Sequence, residues 1–400
     1  MTESRSRPLW VVVTAACLIT GLAMSLRQVM GLYLRPVTMD LGLGREPFSN
    51  AIAVANLVVG FGGIVFGAWS DRFGANWSAA IGTLCSVAGF ILITTASTGA
   101  GLLAAGVMFG IGSSGTGVSA LVGAVARAAP AEKRTAALAY LGMATGIATF
   151  LAFPYTHLLM EYLGWRASLL ALAATLAATL PLAFFLGGAP KVQTTITRQQ
   201  TLREAFSEAL AHRGFWLLTV GFFVCGFHVA FYSTHLPAFV QDQNLGAWVG
   251  VWALMALGAA NILGTWLAGQ SGAFFQKRAV LSGIYFARFV LFLALIFLPT
   301  TPVTVIAITA LLGLFWLATV PLTSSLVGTF FGTSWMSMLF GFVFLSHQLG
   351  AFAGLYMAGV LYDATHSYTL MWWFSAGLGL AAALIHLPIQ ERPVPRLAAA

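Results

Sequence analysis

The sequence predicts an all-α membrane protein: twelve transmembrane helices in two six-helix, pseudo-symmetric halves, with both termini in the cytoplasm. Three observations predict it. The chain has 400 residues, of which 59% are hydrophobic and only 8% charged. Soluble domains carry roughly a quarter charged residues, so this chain cannot cover itself with a polar surface and lipid is its natural solvent. Apolar windows long enough to cross a bilayer, about 20 residues each, recur twelve times. The longest polar gap between them falls near the middle of the chain, and the flanking halves carry matching landmarks.

The windows run 9–34, 48–70, 77–97, 100–125, 135–158, 166–187, 215–239, 246–269, 279–298, 302–326, 334–361 and 368–388. The opening "MTESRSRPLW" leads into the first without a small-residue cleavage pattern, so it reads as a retained span rather than a signal peptide. The fourth and fifth are rich in Gly and Ser, as in "GIGSSGTGVSALVG". Small residues let helices approach closely where water supplies no driving force between them.

The midpoint gap predicts the domain plan: a half over 1–190, a linker over 191–213 and a second half over 214–400. In the linker, "TLREAFSEALAHR" sets Leu202, Phe206 and Leu210 on one helical face. Thr201 and Glu204 have capping-box spacing. A short amphipathic helix on the cytoplasmic surface is expected. Pro36 and Pro237 are 201 residues apart, and Gly67 and Gly269 are 202 apart. A duplicated architecture follows. The same offset carries Arg27 onto His228 and predicts that the two face each other across the pseudo-two-fold axis.

Every Lys and Arg except Arg27, Arg35, Arg45, Arg166 and Arg288 falls on one side of this arrangement. Cytoplasmic loops carry that excess, which orients the termini and accounts for the net charge of +8. No basic patch with interleaved aromatics points to nucleic acid. Cys17, Cys85 and Cys225 are far apart and give neither a disulfide framework nor a metal spacing. No G-x-x-x-x-G-K-[ST] loop and no nucleophile–base constellation stand out, so neither ATP, nor a cofactor, nor a metal, nor an enzyme activity is implied.

The loop after the second span reads "GAWSDRFGANW". Its Gly67, Asp71, Arg72 and Gly74 resemble the loop signature of the major facilitator superfamily. "GWRASLL" from Gly164 is similar to the sequence these transporters carry before their sixth helix, and Gly142, Gly146 and Pro154 to their Gly/Pro-rich fifth helix. In the second half, Lys277 and Arg278 fall where the signature's basic pair belongs. The resemblance implies secondary transport by alternating access. It also implies that Gly67, Asp71, Arg72, Gly74, Lys277 and Arg278 act as a conformational latch at the cytoplasmic helix ends. "SLRQVMGLYL" further resembles the first helix of the monocarboxylate transporters, near which the bacterial oxalate–formate exchangers stand.

Residues inside the spans suggest the cargo. All eleven acidic residues lie at or near loops. Arg27 and Arg288 are therefore fixed positive charges without a mid-span carboxylate, at a cost of about 3 kcal/mol each near a helix centre. A water-filled cavity or an anionic substrate would compensate, and the guanidinium fork suits a carboxylate or phosphate. Arg27 lies about 25 Å along the helix from Trp10, within reach of a central cavity; snorkelling or helix bracing is its other reading. For Arg288, bracing and substrate contact stand level. His228 and His235 share a helix face, and His347 and Gln348 adjoin in the eleventh span. Histidine is the side chain that switches near neutral pH, so these are the candidate proton carriers, with interhelical hydrogen bonds as the alternative. Asn56 and Gln28 would orient a substrate or bond between helices.

The expected function is secondary transport of a small organic anion, a mono- or dicarboxylate, by a monomer in the cell membrane, a bacterial-type inner membrane. Coupling to protons would use a histidine or the substrate itself. The other reading is a proton-driven transporter or exporter of a neutral or aromatic compound, such as a drug or vitamin.

Overall fold

The computed structural model describes residues 8–128, 134–187, 201–332 and 336–395. Every element among them is a helix. The chain forms two compact units, Met1–Gln193 and Thr194–Ala400.

In the first unit the helices are α1 (Leu9–Gln28), α2 (Met30–Leu41), α3 (Arg45–Phe73), α4 (Ala75–Thr95), α5 (Gly99–Thr116), α6 (Val118–Ala128), α7 (Arg134–Ala177) and α8 (Leu180–Ala183). In the second they are α9 (Leu202–Ala211), α10 (Arg213–Asp242), α11 (Ala247–Phe274), α12 (Lys277–Phe297), α13 (Pro302–Leu314), α14 (Thr319–Phe331), α15 (Met336–Thr365) and α16 (Thr369–His386). Among the described residues, 11 helical stretches are long and apolar enough to cross a membrane. One of them, Tyr140–Ala183, is 44 residues long and is two spans. Gly164 inside it has φ 75° and ψ 169°, a left-handed conformation that costs a residue without Cβ little. Tyr155 and Thr175, on opposite sides of that kink, meet at 2.8 Å between hydroxyls.

Four expected spans are interrupted: the sixth between Ala177 and Leu180, and three others where the local chemistry shows why. The first breaks at Val29, between α1 and α2. One turn earlier Ser25 donates back to the Gly21 carbonyl at 2.7 Å, the intrahelical bond that bends helices. The fourth breaks at Gly117, whose ψ is 168°, inside the Gly-rich stretch where helix propensity is weakest. The tenth opens between Leu314 and Thr319. Its freed groups are taken by side chains: Asn261 Oδ1 accepts from the Leu317 amide at 3.0 Å, and Arg288 donates to the Phe315 and Trp316 carbonyls.

The helix pairing repeats. In the first unit α1 packs on α7, α3 on α5, and α4 on α7 and α8. In the second α10 packs on α15, α11 on α13, and α12 on α16. Close approaches are made by small residues, as expected without a hydrophobic drive between helices. Gly21 faces the Ala144 carbonyl, and Gly226 faces the His347 carbonyl. The core of the first unit is rich in alanine, including Ala15, Ala16, Ala79 and Ala80. That of the second also holds aromatic rings, including Phe215, Phe222, Tyr285 and Phe330.

These contacts correct the offset between the halves. Thr20 donates to the Thr116 carbonyl at 3.1 Å, where the fourth span breaks. Cys225 donates to the Trp316 carbonyl at 3.9 Å, where the tenth breaks. Thr20 and Cys225, like Gly21 and Gly226, are 205 residues apart. In the opening helices the counterpart of Arg27 is therefore Tyr232, which bonds Thr309 at 2.7 Å, and not His228. The two prolines, 201 apart, misled by one helical turn.

The linker helix α9 forms with its capping box: Thr201 accepts from the Glu204 amide at 3.3 Å, and Glu204 accepts from the Thr201 amide at 2.8 Å. It docks through buried Ala205 and Ala209, with Phe206 edge-on to Phe342 at 5.5 Å, while Leu210 is exposed. The side chain of Leu202 lies outside the described residues.

Candidate functional site

Arg27 sits in the last turn of α1, where the helix dipole favours a cation. It is half-buried. Its Nη1 donates to Asn56 Oδ1 on α3 at 2.8 Å. Asn56, 7% exposed, anchors its own amide nitrogen on the Ile52 carbonyl at 2.8 Å. That bond fixes which end of the amide faces the guanidinium. Among the described residues no carboxylate pairs with Arg27. Its charge is thus oriented by a neutral acceptor and left uncompensated.

Gln28, the next residue, points elsewhere, because successive side chains are about 100° apart around a helix. Its Nε2 donates to Thr149 Oγ1 on α7 at 3.4 Å, and Thr149 also meets Ser25 at 3.1 Å. The structure therefore brings Arg27 together with Asn56, and places Gln28 beside a hydroxyl pair, Ser25 and Thr149. Those two were not singled out by the sequence. The only signal for them is small polar residues recurring on two glycine-containing helices.

In the second unit the expected residues are taken up by contacts within the helix packing. His228 is fully enclosed, with Nε2 at 2.9 Å from the Ser375 carbonyl and its ring 4.7 Å from that of Phe292. The expectation that it lines a cavity is not met in this structure, because α10 turns it into the packing with α12 and α16. His235 is likewise enclosed, with Nδ1 at 2.9 Å from the Tyr368 hydroxyl. His347 Nδ1 meets Gln348 Oε1 at 2.9 Å. Arg288 is fully buried. Its Nε donates to the Phe315 carbonyl at 3.1 Å, and Nη2 donates to the Phe315 and Trp316 carbonyls and reaches Cys225 Sγ at 3.6 Å. The guanidinium lies against the C-terminal, electronegative end of α13. Of its two readings, this geometry is the bracing one.

Of the latch positions, Gly74 closes α3 with φ 105° and ψ 145°, a conformation glycine reaches without strain. Gly67 is half-buried within α3. The side chains of Asp71 and Arg72 lie outside the described residues. Lys277 Nζ donates to Thr329 Oγ1 at 3.3 Å. Arg278 holds the segment after α16: its Nη1 donates to the Leu387 and Ile389 carbonyls at 3.2 and 3.0 Å, and its amide donates to Glu391 at 2.7 Å. No group of three metal-ligating side chains comes together among the described residues.

The Major Facilitator Superfamily model matches residues 13–355. The chain belongs to the major facilitator superfamily. It is a multi-pass membrane transporter and not an enzyme. Its relatives include an MFS-type transporter of Bacillus subtilis (strain 168), YcxA, 25% identical over 87% of this chain and 86% of the relative. Monocarboxylate transporter 11 of Homo sapiens is 25% identical over 94% of this chain and 82% of its own length. Among solved structures, a D-xylose–proton symporter superposes with TM-score 0.75 at 14% identity, over 95% of this superfamily member and 97% of the symporter. A bacterial homologue of the human lysosomal transporter Spinster, inward-facing and unoccupied, superposes with TM-score 0.72 at 14% identity, covering 97% and 95%. At these identities the structures bear on the fold alone.

Proposed function

We propose that this transporter moves a small organic anion, a mono- or dicarboxylate, by alternating access, with Arg27 as the group that recognises the carboxylate. One observation carries the reading: a half-buried guanidinium inside the first span whose described partner is the neutral amide of Asn56. A carboxylate arriving there gains a charge-assisted hydrogen bond, worth about 1.5–3 kcal/mol, and relieves an uncompensated charge. Asn56 occupies Nη1, which leaves the Nε/Nη2 edge for two parallel bonds to the substrate. Gln28, turned toward Thr149 on α7, stands outside this pair. The relative named monocarboxylate transporter 11 is consistent in chemistry. Proton coupling, on this reading, runs through a histidine or the substrate itself. The loop of Gly67, Asp71, Arg72 and Gly74, with Lys277 and Arg278, serves the conformational change rather than recognition.

The test is a thermal-shift screen of detergent-purified protein against mono- and dicarboxylates, inorganic phosphate and neutral aromatics, followed by uptake of the stabilising compounds into proteoliposomes. A ligand that binds only the folded form raises its stability. Stabilisation by carboxylates in the wild type and not in Arg27→Gln is the expected result. Stabilisation by neutral compounds alone, undiminished in Arg27→Gln, overturns the anion reading.

A further inference from the structure

A second basic site lies at one end of the second unit. Both of its walls are tied down by hydrogen bonds. His212 caps α10, accepting from the Phe215 amide through Nδ1 at 3.2 Å. The segment after α16 is pinned at Leu387 and Ile389 by Arg278. It is pinned again at Val394, whose amide donates to the Phe330 carbonyl at 2.9 Å. Between these two fixed walls is a cavity of about 280 Å³ lined by His212, Arg213, Gly214, Gln390, Arg392 and Pro393, among others.

The lining has the chemistry of a phosphate site. Neither Arg213 nor Arg392 has a hydrogen-bond or ion-pair partner among the described residues, so two arginines without a protein counter-ion line one cavity. Planar guanidinium matches phosphate oxygens in pairs. The amides of Arg213 and Gly214, the first two of the 30-residue α10, also find no partner among the described residues. Free amides at a helix start add a fixed positive field. A side chain at position 214 would press on the His212 ring, so glycine keeps this approach open. Burial pushes the His212 ring below its ordinary range, against the opposing effect of Glu208, so the positive charge comes from the arginines.

The position selects the source of the phosphate. The cavity is walled on one side by the start of α10, a membrane span, and on the other by residues 388–395, the segment that follows the span α16. Leu217, a turn further into the span, forms part of its wall. Trp216 beside it is 43% exposed, with its indole nitrogen bonded to the Leu210 carbonyl at 2.8 Å. Such an amphipathic ring marks the headgroup level of a bilayer. We infer that this pocket binds a phosphate group, presented by the headgroup of an anionic phospholipid.

The experiment uses full-length, delipidated protein in dodecyl maltoside. Melting temperature and affinity are measured against phosphatidylglycerol, phosphatidylcholine and inorganic phosphate. Phosphatidylglycerol is expected to stabilise the protein and phosphatidylcholine is not. Each basic residue near an anionic surface contributes about a fivefold change in affinity, so Arg213→Gln with Arg392→Gln should weaken phosphatidylglycerol binding about 30-fold. Both side chains are exposed, so the ligand-free melting temperature should be unchanged. Arg213→Lys with Arg392→Lys should keep most of the affinity. Equal protection by inorganic phosphate, lost in the glutamine pair, would support the phosphate site and assign it a soluble ligand. Equal stabilisation by phosphatidylcholine, or a full phosphatidylglycerol response in the glutamine pair, overturns the proposal.

Discussion

Arg27 and Asn56 meet at 2.8 Å between α1 and α3, a charged donor on a neutral acceptor. The amide is set from behind by the Ile52 carbonyl, also at 2.8 Å. A neutral acceptor orients a cation without cancelling its charge. Replacing either partner should therefore alter anion recognition in different ways.

Arg27→Gln removes the charge and shortens the fork. The affinity for a stabilising carboxylate should fall about 10- to 150-fold, the equivalent of one charge-assisted hydrogen bond. Arg27→Lys keeps the charge but not the paired geometry and should fall between. Titration of the purified variants measures both, and an affinity for carboxylate unchanged in the glutamine variant would remove Arg27 from the site.

Asn56→Asp supplies the counter-ion that the site lacks. The new carboxylate would hold Arg27 as an internal ion pair, so carboxylate binding should drop as far as in Arg27→Gln. The melting temperature should be maintained. Asn56→Ala instead frees the guanidinium and should weaken binding less. Carboxylate affinity in Asn56→Asp equal to that of the wild type would contradict the arrangement.

Arg288 should matter for stability. It satisfies two carbonyls released where the tenth span opens, at Phe315 and Trp316. Each buried acceptor left unpaired costs about 1–3 kcal/mol. Arg288→Met should therefore lower the melting temperature markedly and reduce the yield of monodisperse protein. Carboxylate affinity of the folded fraction should stay near that of wild type. Unchanged thermal stability would show that the break holds itself.

Two helical glycines should differ sharply. A methyl at Gly226 would run into the His347 carbonyl, which is backbone and cannot move aside, whereas nothing lies within 4 Å of a methyl at Gly142. Gly226→Ala should abolish the folded peak on size-exclusion chromatography. Gly142→Ala should be tolerated and gain up to about 1 kcal/mol from helix propensity.

His212 should confer acid sensitivity. Burial holds its folded-state ring below the ordinary value of about 6.5, with Glu208 opposing. The unfolded chain thus binds the proton first as pH falls. The contribution of His212 is complete above about pH 6.5 and is lost on acidification below it. A protonated Nδ1 also cannot accept from the Phe215 amide. Asparagine caps helices at any pH in this range. Melting curves from pH 7.5 to 5.5 should therefore fall further for the wild type than for His212→Asn.

The sequence by itself determined the solvent, the all-helical class, the two halves and the superfamily. Composition and span length leave few alternatives when 59% of residues are hydrophobic. It also marked Arg27, because a charge inside an apolar run is conspicuous wherever the helix faces. Tertiary structure decided what each polar residue touches. Arg27 and Arg288 look alike in sequence, yet one meets a side-chain amide and remains uncompensated while the other closes a helix end. His228 and His235 share a face, and that face is turned inward. Helix rotation depends on how small residues such as Gly21 and Gly226 let neighbouring helices approach. That packing is collective, so no local pattern records it. The same holds for the register of the repeat, which a pair of prolines placed one turn from where the helix contacts set it.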